Sequence, residues 1–256
     1  MEQDKCPFYW CRNADIYTTM PNNPNMQLHK KITTIAFDAD DTLWVNEPYF
    51  QEAEQQFTQL LQAYQTPETL SEVLYQTEVR NLPLYGFGIK GFILCMIETA
   101  QQVSANRVSP AIIGEIIALG HDLLQKPIEL LEGVQSTLDA LHGKYNLILA
   151  TKGDLLDQER KIARSNLASY FHHIEIMSDK KTTDYQQLLQ RLACKPEEFF
   201  MIGNSMKSDI LPVLALNGYA GYLPYHITWS HEQHDSLPQH AQFISLQKMT
   251  DLLEIL

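Results

Sequence analysis

The stretch TTIAFDADDTLW, residues 33–44, sets an apolar run, Ile35-Ala36-Phe37, directly against three carboxylates, Asp38, Asp40 and Asp41. Like charges this close repel, and each is costly to take out of water. A solvated turn would tolerate them; otherwise a cation or a phosphoryl group has to be their partner. The run itself reads as a strand over 31–37 that stops at Asp38.

Working outward, YNLILAT (145–151) reads as a second buried strand, HIEIMS (173–178) as a third, EFFMIGN (198–204) as a fourth and YAGYLPY (219–225) as a weaker fifth. Helical patterns over 154–168, 183–193 and 207–216 separate them. This alternation predicts a parallel sheet covered by helices, with reactive groups at the carboxyl ends of its strands. The stretch from 47 to 130 breaks the rhythm: it reads as helices over 49–64, 67–80, 90–104 and 110–125, the last opened by Ser109 as N-cap and Pro110 at the first helical position. The expected organisation is therefore a doubly wound α/β core, 31–46 and 131–256, interrupted by an all-helical cap, 47–130. Residues 1–30, polar and Asn/Pro-rich around TTMPNNPNMQ, read as an irregular arm.

Composition narrows the function. The chain has 256 residues and a formal net charge of −12 with no lysine or arginine run, which argues against nucleic acid as the main partner. No apolar stretch is long enough for a bilayer, and the N-terminus lacks a secretory pattern. The expectation is a cytoplasmic protein without a membrane partner. Cys6, Cys11, Cys95 and Cys194 lack zinc-type spacing and read as free thiols, with a metal or bridge at Cys6 and Cys11 as the lesser alternative.

At successive strand ends stand Asp38 and Asp40, then Thr151, then Lys180 or Lys181, then Asn204 with Asp209. Singly, each is an ordinary turn, cap or surface residue. Together they bring carboxylates, a hydroxyl and an ammonium to one sheet edge. Two or three oxygen ligands suit Mg²⁺, which keeps several waters and takes substrate phosphate. A carboxylate beside Mg²⁺ and an ammonium stays ionised and can attack phosphorus.

In these motifs the sequence resembles the haloacid dehalogenase superfamily, in its phosphatase branch. The first motif of that family, Asp-x-Asp-x-Thr after an apolar strand, matches Asp38-Ala39-Asp40-Asp41-Thr42; the second matches LILATKGD with Thr151, the third MSDKKTTDY and the fourth MIGNSMKSDI. The resemblance implies a HAD-like core with a helical cap, and Mg²⁺-dependent hydrolysis of a small phosphorylated metabolite. It implies Asp38 as nucleophile, forming an aspartyl phosphate, and Asp40 as general acid, then base. Thr151 and the lysine would bind phosphoryl oxygens. The Asp38 carboxylate, the main-chain carbonyl of Asp40, and Asp209 would hold Mg²⁺. Spacing to Tyr185 favours Lys180 over Lys181. Two positions depart from the pattern: Asn204 replaces a common aspartate and can ligate only through its amide oxygen, and Asp41 stands where glycine is common, its carboxylate expected to point away.

The competing readings are a haloacid dehalogenase, which Asp40 argues against; a phosphomutase, which shares every group; and a receiver-like phosphoacceptor, which is shorter and lacks a helical insert. Two further patterns need a reading. GFGIKG (86–91) satisfies Gly-x-Gly-x-x-Gly but follows EVRNLPLY rather than a strand, so it reads as a cap loop offering Tyr85, Phe87 and Lys90 to substrate, or as a plain turn. His226, His231 and His234 have spacing a transition metal could use, but the segment reads as solvated. The identity of the ester and the oligomeric state stay open.

Overall fold

The computed structural model describes residues 10–12, 31–234 and 236–256. Strand β1 (Trp10–Arg12) pairs antiparallel with β7 (Ile227–Trp229). Part of the arm expected to be irregular is thus a strand; the rest of it, with Cys6, lies outside the described residues. The main sheet contains β2 (Thr34–Phe37), β3 (Asn146–Lys152), β4 (His173–Met177), β5 (Phe199–Gly203), β6 (Tyr219–Tyr222) and β8 (Phe243–Ser245). Their order is β4-β3-β2-β5-β6-β8, and every neighbouring pair is parallel.

Side chains alternate across this sheet with the period of a strand. Ile35, Phe37, Leu147, Leu149, Phe200 and Ile202 enter one core, where they meet α5 (Val134–Leu141), α6 (Leu155–Ser165) and α9 (Leu252–Ile255). Ala36, Ile148, Ala150, Phe199 and Met201 enter the other, against α7 (Thr182–Arg191) and α8 (Leu211–Leu214). Both faces are covered, which is why these strands read as continuous apolar runs. The fold is the expected doubly wound α/β arrangement. Helix α5 was missed by the sequence reading although Val134, Leu138 and Leu141 share one face; it is only 8 residues long.

Helices α1 (Glu47–Leu61), α2 (Pro67–Tyr85), α3 (Ile89–Val103) and α4 (Pro110–Leu123) build a third core of their own from residues such as Phe57, Leu61, Leu74, Phe92, Met96 and Ile116. Helix α2 runs past its expected end at 80, carrying Pro83 inside it. Proline forfeits one backbone hydrogen bond there, and the helix stops instead at Gly86, whose φ of 70° breaks the repeat. Gly88, at φ 113°, then starts α3. GFGIKG therefore spans the turn between two cap helices, 86–88, and the first residues of α3. The helix expected over 207–216 is split into a π-turn, Met206–Ile210, and the short α8. Pro212, within α8, has no N–H to continue the regular ladder.

Asp41 ties the core to the first cap helix. Its carboxylate accepts the N–H groups of Asn46 at 2.9 Å and Glu47 at 3.0 Å, at the start of α1. Its φ of 58° is left-handed, which explains why glycine suits this position. Asp41→Ala should lose the cap while keeping the backbone penalty, lowering stability by about 1–2 kcal/mol. Asp41→Gly should lose less, because glycine relieves the backbone. Urea midpoints of both variants check this; equal losses would mean that φ carries no strain.

Candidate active site

β2 ends at the centre of the sheet, and the Asp38 N–H still bonds the Ile202 carbonyl at 2.8 Å. The nucleophile-like carboxylate is thereby fixed between β3 and β5, in the crevice at their carboxyl ends. Lys180 arrives from the loop after β4. Its ammonium bonds Asp38 Oδ1 and, at 2.7 Å, Asp209 Oδ1, with only 1% of its side chain exposed. Lys181 is exposed and pairs with Asp179 at 2.9 Å. Asp209 sits on the π-turn, and its second oxygen accepts the Ser205 N–H at 3.0 Å. Gly203 makes room for it: a Cβ there would lie 2.2 Å from Asp209 Oδ2. Thr151, buried at the end of β3, lines the same cleft. The Thr42 hydroxyl lies 3.2 Å from Asp38 Oδ2 and 3.3 Å from Asn204 Oδ1 and can serve either acceptor.

Burial pushes the Asp38 carboxyl up to about 7, with Asp209 and Asp40 adding to it, even though Lys180 pulls the other way. Burial also works against the Lys180 charge, but Asp209 and Asp38 overcome it and hold the ammonium above its usual range. One lysine between two buried carboxylates leaves a negative charge uncompensated. The oxygens around it come from Asp38, Asp209 and Asn204, beside the main chain of Asp40, with neither thiolate nor imidazole among them. That donor set and that surplus charge fit Mg²⁺. Among the described residues no group of three or more His, Cys, Asp or Glu forms a ready metal cage. Mg²⁺ does not require one, since it keeps waters and takes substrate oxygens.

Asp40 has partners that the sequence reading missed. Trp44 Nε1 donates to it at 2.7 Å, Gln158 Nε2 at 2.8 Å and Lys161 Nζ at 3.0 and 3.1 Å. Burial would raise this carboxyl, but Lys161 and the hydrogen bonds from Gln158 and Trp44 outweigh it and hold it below its usual value. The signal was present: Gln158 and Lys161 are three residues apart, on the face of the helix that follows the Thr151 strand. That helix is set by Asp154, whose carboxylate caps it through the Asp157 N–H at 3.1 Å.

The cleft is roofed partly by the segment read as solvated. Trp229 packs edge-on against Phe87, centroids 6.3 Å apart, and Glu232 pairs with Lys152 and accepts from Ser205 and Ser208. Lys152 Nζ also lies 3.9 Å from the centre of the Phe87 ring. The three histidines do not converge: His226 packs at a tilt against Tyr225, His231 does so against Trp229, and His234 bonds the Ser236 carbonyl. Apolar packing of Trp229 and the partly buried Lys152–Glu232 ion pair turn this segment inward. Tyr85 and Phe87 line the cleft, whereas Lys90 pairs with Asp154 at 2.9 Å and straps the cap to the core.

A family model described as haloacid dehalogenase-like hydrolase matches residues 32–215. A haloacid dehalogenase-like family hydrolase from Xanthomonas campestris shares 36% identity, covering 85% of this chain and 87% of its own, with a TM-score of 0.77. A magnesium-bound HAD-hydrolase from Bacillus subtilis is 16% identical, with coverage of 88% and 98% and a TM-score of 0.61. A 2-haloacid dehalogenase from Pseudomonas syringae is 17% identical, with coverage of 88% and 97% and a TM-score of 0.59. The last two share the fold. No curated protein sequence matches the chain. Among the described residues no helix is long and apolar enough to cross a membrane.

Glu232 gives the site a pH signature. Burial opposes its charge, but Lys152 and the Ser205 and Ser208 hydroxyls hold it at about 2, against an ordinary 4.5. A depressed carboxyl stabilises fully above its unfolded value and loses that contribution as pH falls through the folded one. The stability gap between wild type and Glu232→Gln should therefore be widest near neutral pH and shrink towards about pH 3. Chemical denaturation at the two pH values measures it; a constant gap would show that the carboxylate charge does no holding.

Proposed function

The chain belongs to the haloacid dehalogenase-like hydrolases, and we propose that within this family it is a Mg²⁺-dependent phosphatase acting on a small-molecule phosphate monoester. The observation that carries this reading is the pair Asp38 and Asp40. The first is buried beside Lys180, and the second, two residues on, faces the same cleft with three donors fixing it. A dehalogenase needs the nucleophile but has no use for the second carboxylate.

The steps follow from this chain's residues. Asp38 attacks phosphorus, the bond from phosphorus to the ester oxygen breaks, and that oxygen leaves with a proton from Asp40. Water then attacks the phosphorus of the aspartyl phosphate, Asp40 takes its proton, and the bond to Asp38 breaks to release phosphate. Lys161 holds Asp40 ionised, the form the second step needs; for the first step Asp40 must be protonated and freed from Lys161. Lys180 and Thr151 steady the phosphoryl oxygens, where catalysis is mainly positioning and charge neutralisation. Mg²⁺, held by Asp38, Asp209, Asn204 and the Asp40 carbonyl, would neutralise charge on those oxygens. The helical cap excludes bulk water and disfavours a folded protein as substrate. Its thiols and its lack of a basic run keep the cytoplasm and a small metabolite as our assignments of place and partner.

Phosphate release from a panel of esters should require Mg²⁺, vanish with a chelator, and drop to background in Asp38→Asn. Activity towards 2-haloacids, or turnover in Asp38→Asn checked for deamidation, would sink the phosphatase reading. Asp209→Ala should raise the Mg²⁺ concentration for half-maximal activity by roughly tenfold or more, with partial recovery at high Mg²⁺. An unmoved Mg²⁺ midpoint would remove Asp209 from the metal site.

A further inference from the structure

The cap and β7 also wall this cleft, and that wall is aromatic: Phe50 from α1, Phe87 from the turn, Phe92 from α3 and Trp229 from β7. Two carboxylates of the cap also line it, Glu47 at the first position of α1 and Glu78 in α2. Glu47 Oε2 is shielded from solvent and accepts no hydrogen bond. Among the described residues no hydrogen bond or ion pair reaches the Glu78 carboxylate. Burial pushes both groups well above the usual range; Asp41 and Asp40 push Glu47 further, and Glu54 does the same to Glu78. Both side chains keep part of their surface exposed, but Glu47 Oε2 is out of water with no partner, and such an unpaired oxygen is costly.

The charges around the cleft say what is missing. Eight Asp or Glu residues and three lysines line it, and no arginine does among the described residues. Every one of the three lysines is engaged: Lys152 with Glu232, Lys161 with Asp40, Lys180 with Asp38 and Asp209. Among the described residues no unpaired cation lines the cleft to receive a second anion. A leaving group bearing a carboxylate or another phosphate would be repelled by Glu47 and Glu78. A neutral one would leave both unpaired. An ammonium group would donate to the carboxylates and lie against the aromatic faces.

Resting on the phosphatase reading above, we propose that the substrate is the phosphate ester of an amino alcohol, its ammonium group seated between Glu47, Glu78 and the aromatic wall. The phosphoryl end then meets Lys180 and the metal donors, and the cationic end meets two carboxylates that no hydrogen bond or ion pair engages among the described residues. The cap reads the sign of the leaving group, and the core does the chemistry.

The test compares phosphoethanolamine, phosphocholine and a series of longer aminoalkyl phosphates with glycerol 3-phosphate and phosphoglycolate, in Mg²⁺. The best ammonium ester should exceed glycerol 3-phosphate by roughly tenfold or more in kcat/KM, and phosphoglycolate should be worst. In Glu47→Gln and Glu78→Gln the ratio of ammonium to neutral ester should fall at least about tenfold, mainly through KM. Both substitutions remove charge and keep shape, and either one alone suffices if the other does not fold. Phosphatase activity with glycerol 3-phosphate or phosphoglycolate equal to or above every ammonium ester overturns the inference and leaves the phosphatase reading intact. So does an unchanged ratio in a folded variant. If no ester is hydrolysed, the phosphatase reading fails, and calorimetry on Asp38→Asn still decides the inference. Tighter binding of an aminoalkyl phosphate than of glycerol 3-phosphate upholds the cationic subsite, and equal or weaker binding rejects it.

Discussion

The Lys180 ammonium, held between the carboxylates of Asp38 and Asp209, is the interaction on which the rest of the site depends. Its three members come from the ends of three different strands, so it exists only if β2, β4 and β5 lie in their observed order. It is buried, and a buried pair that loses one partner costs about 3–5 kcal/mol, because the remaining charge has nowhere to go. The demands on the neighbours follow from that. Gly203 must be glycine to admit the Asp209 carboxylate, and the π-turn must present Asp209 while Ser205 donates to its second oxygen.

Negative charge is in excess throughout the cleft, and the protein handles it locally. Asp40 is satisfied by a tryptophan, a glutamine and a lysine, and Glu232 by Lys152 and two serines. Asp41 is satisfied by two backbone N–H groups at the start of the cap. These pairings leave one cluster in which Lys180 sits between Asp38 and Asp209, and another in which, among the described residues, neither Glu47 nor Glu78 has a hydrogen bond or ion pair to its carboxylate. The cap's own hydrophobic core lets it carry such groups without disturbing the sheet.

The sheet and its strand-end residues were readable because a parallel strand covered on both faces is a continuous apolar run, and its last residue is set by where that run stops. Asp38, Thr151, Lys180 and Asn204 each stand at such an end. The four cap helices were readable from apolar periodicity, with boundaries that slipped at Pro83, where one lost hydrogen bond does not end a helix. Lys161 and Gln158 were within reach, as polar residues at helical spacing after the second core strand, but nothing local says which carboxylate they face.

Sequence alone determined the alternation from β2 to β6, though not α5, α9 or the edge strand β8, together with the doubly wound class, the interruption by helices and the residue types at the sheet's edge, because these depend on contacts near in the chain. Tertiary structure alone decided that Lys180 rather than Lys181 reaches Asp38, that the Trp229 and Glu232 segment turns inward to roof the cleft, and that Glu47 and Glu78 have no hydrogen bond or ion pair to their carboxylates among the described residues. Those outcomes rest on pairings between residues far apart in the chain, such as Lys180 with Asp38, 142 positions away, and Phe87 with Trp229. An ion pair's partner and a carboxylate's solvation are properties of the space around a side chain, and that space does not exist until the chain has folded.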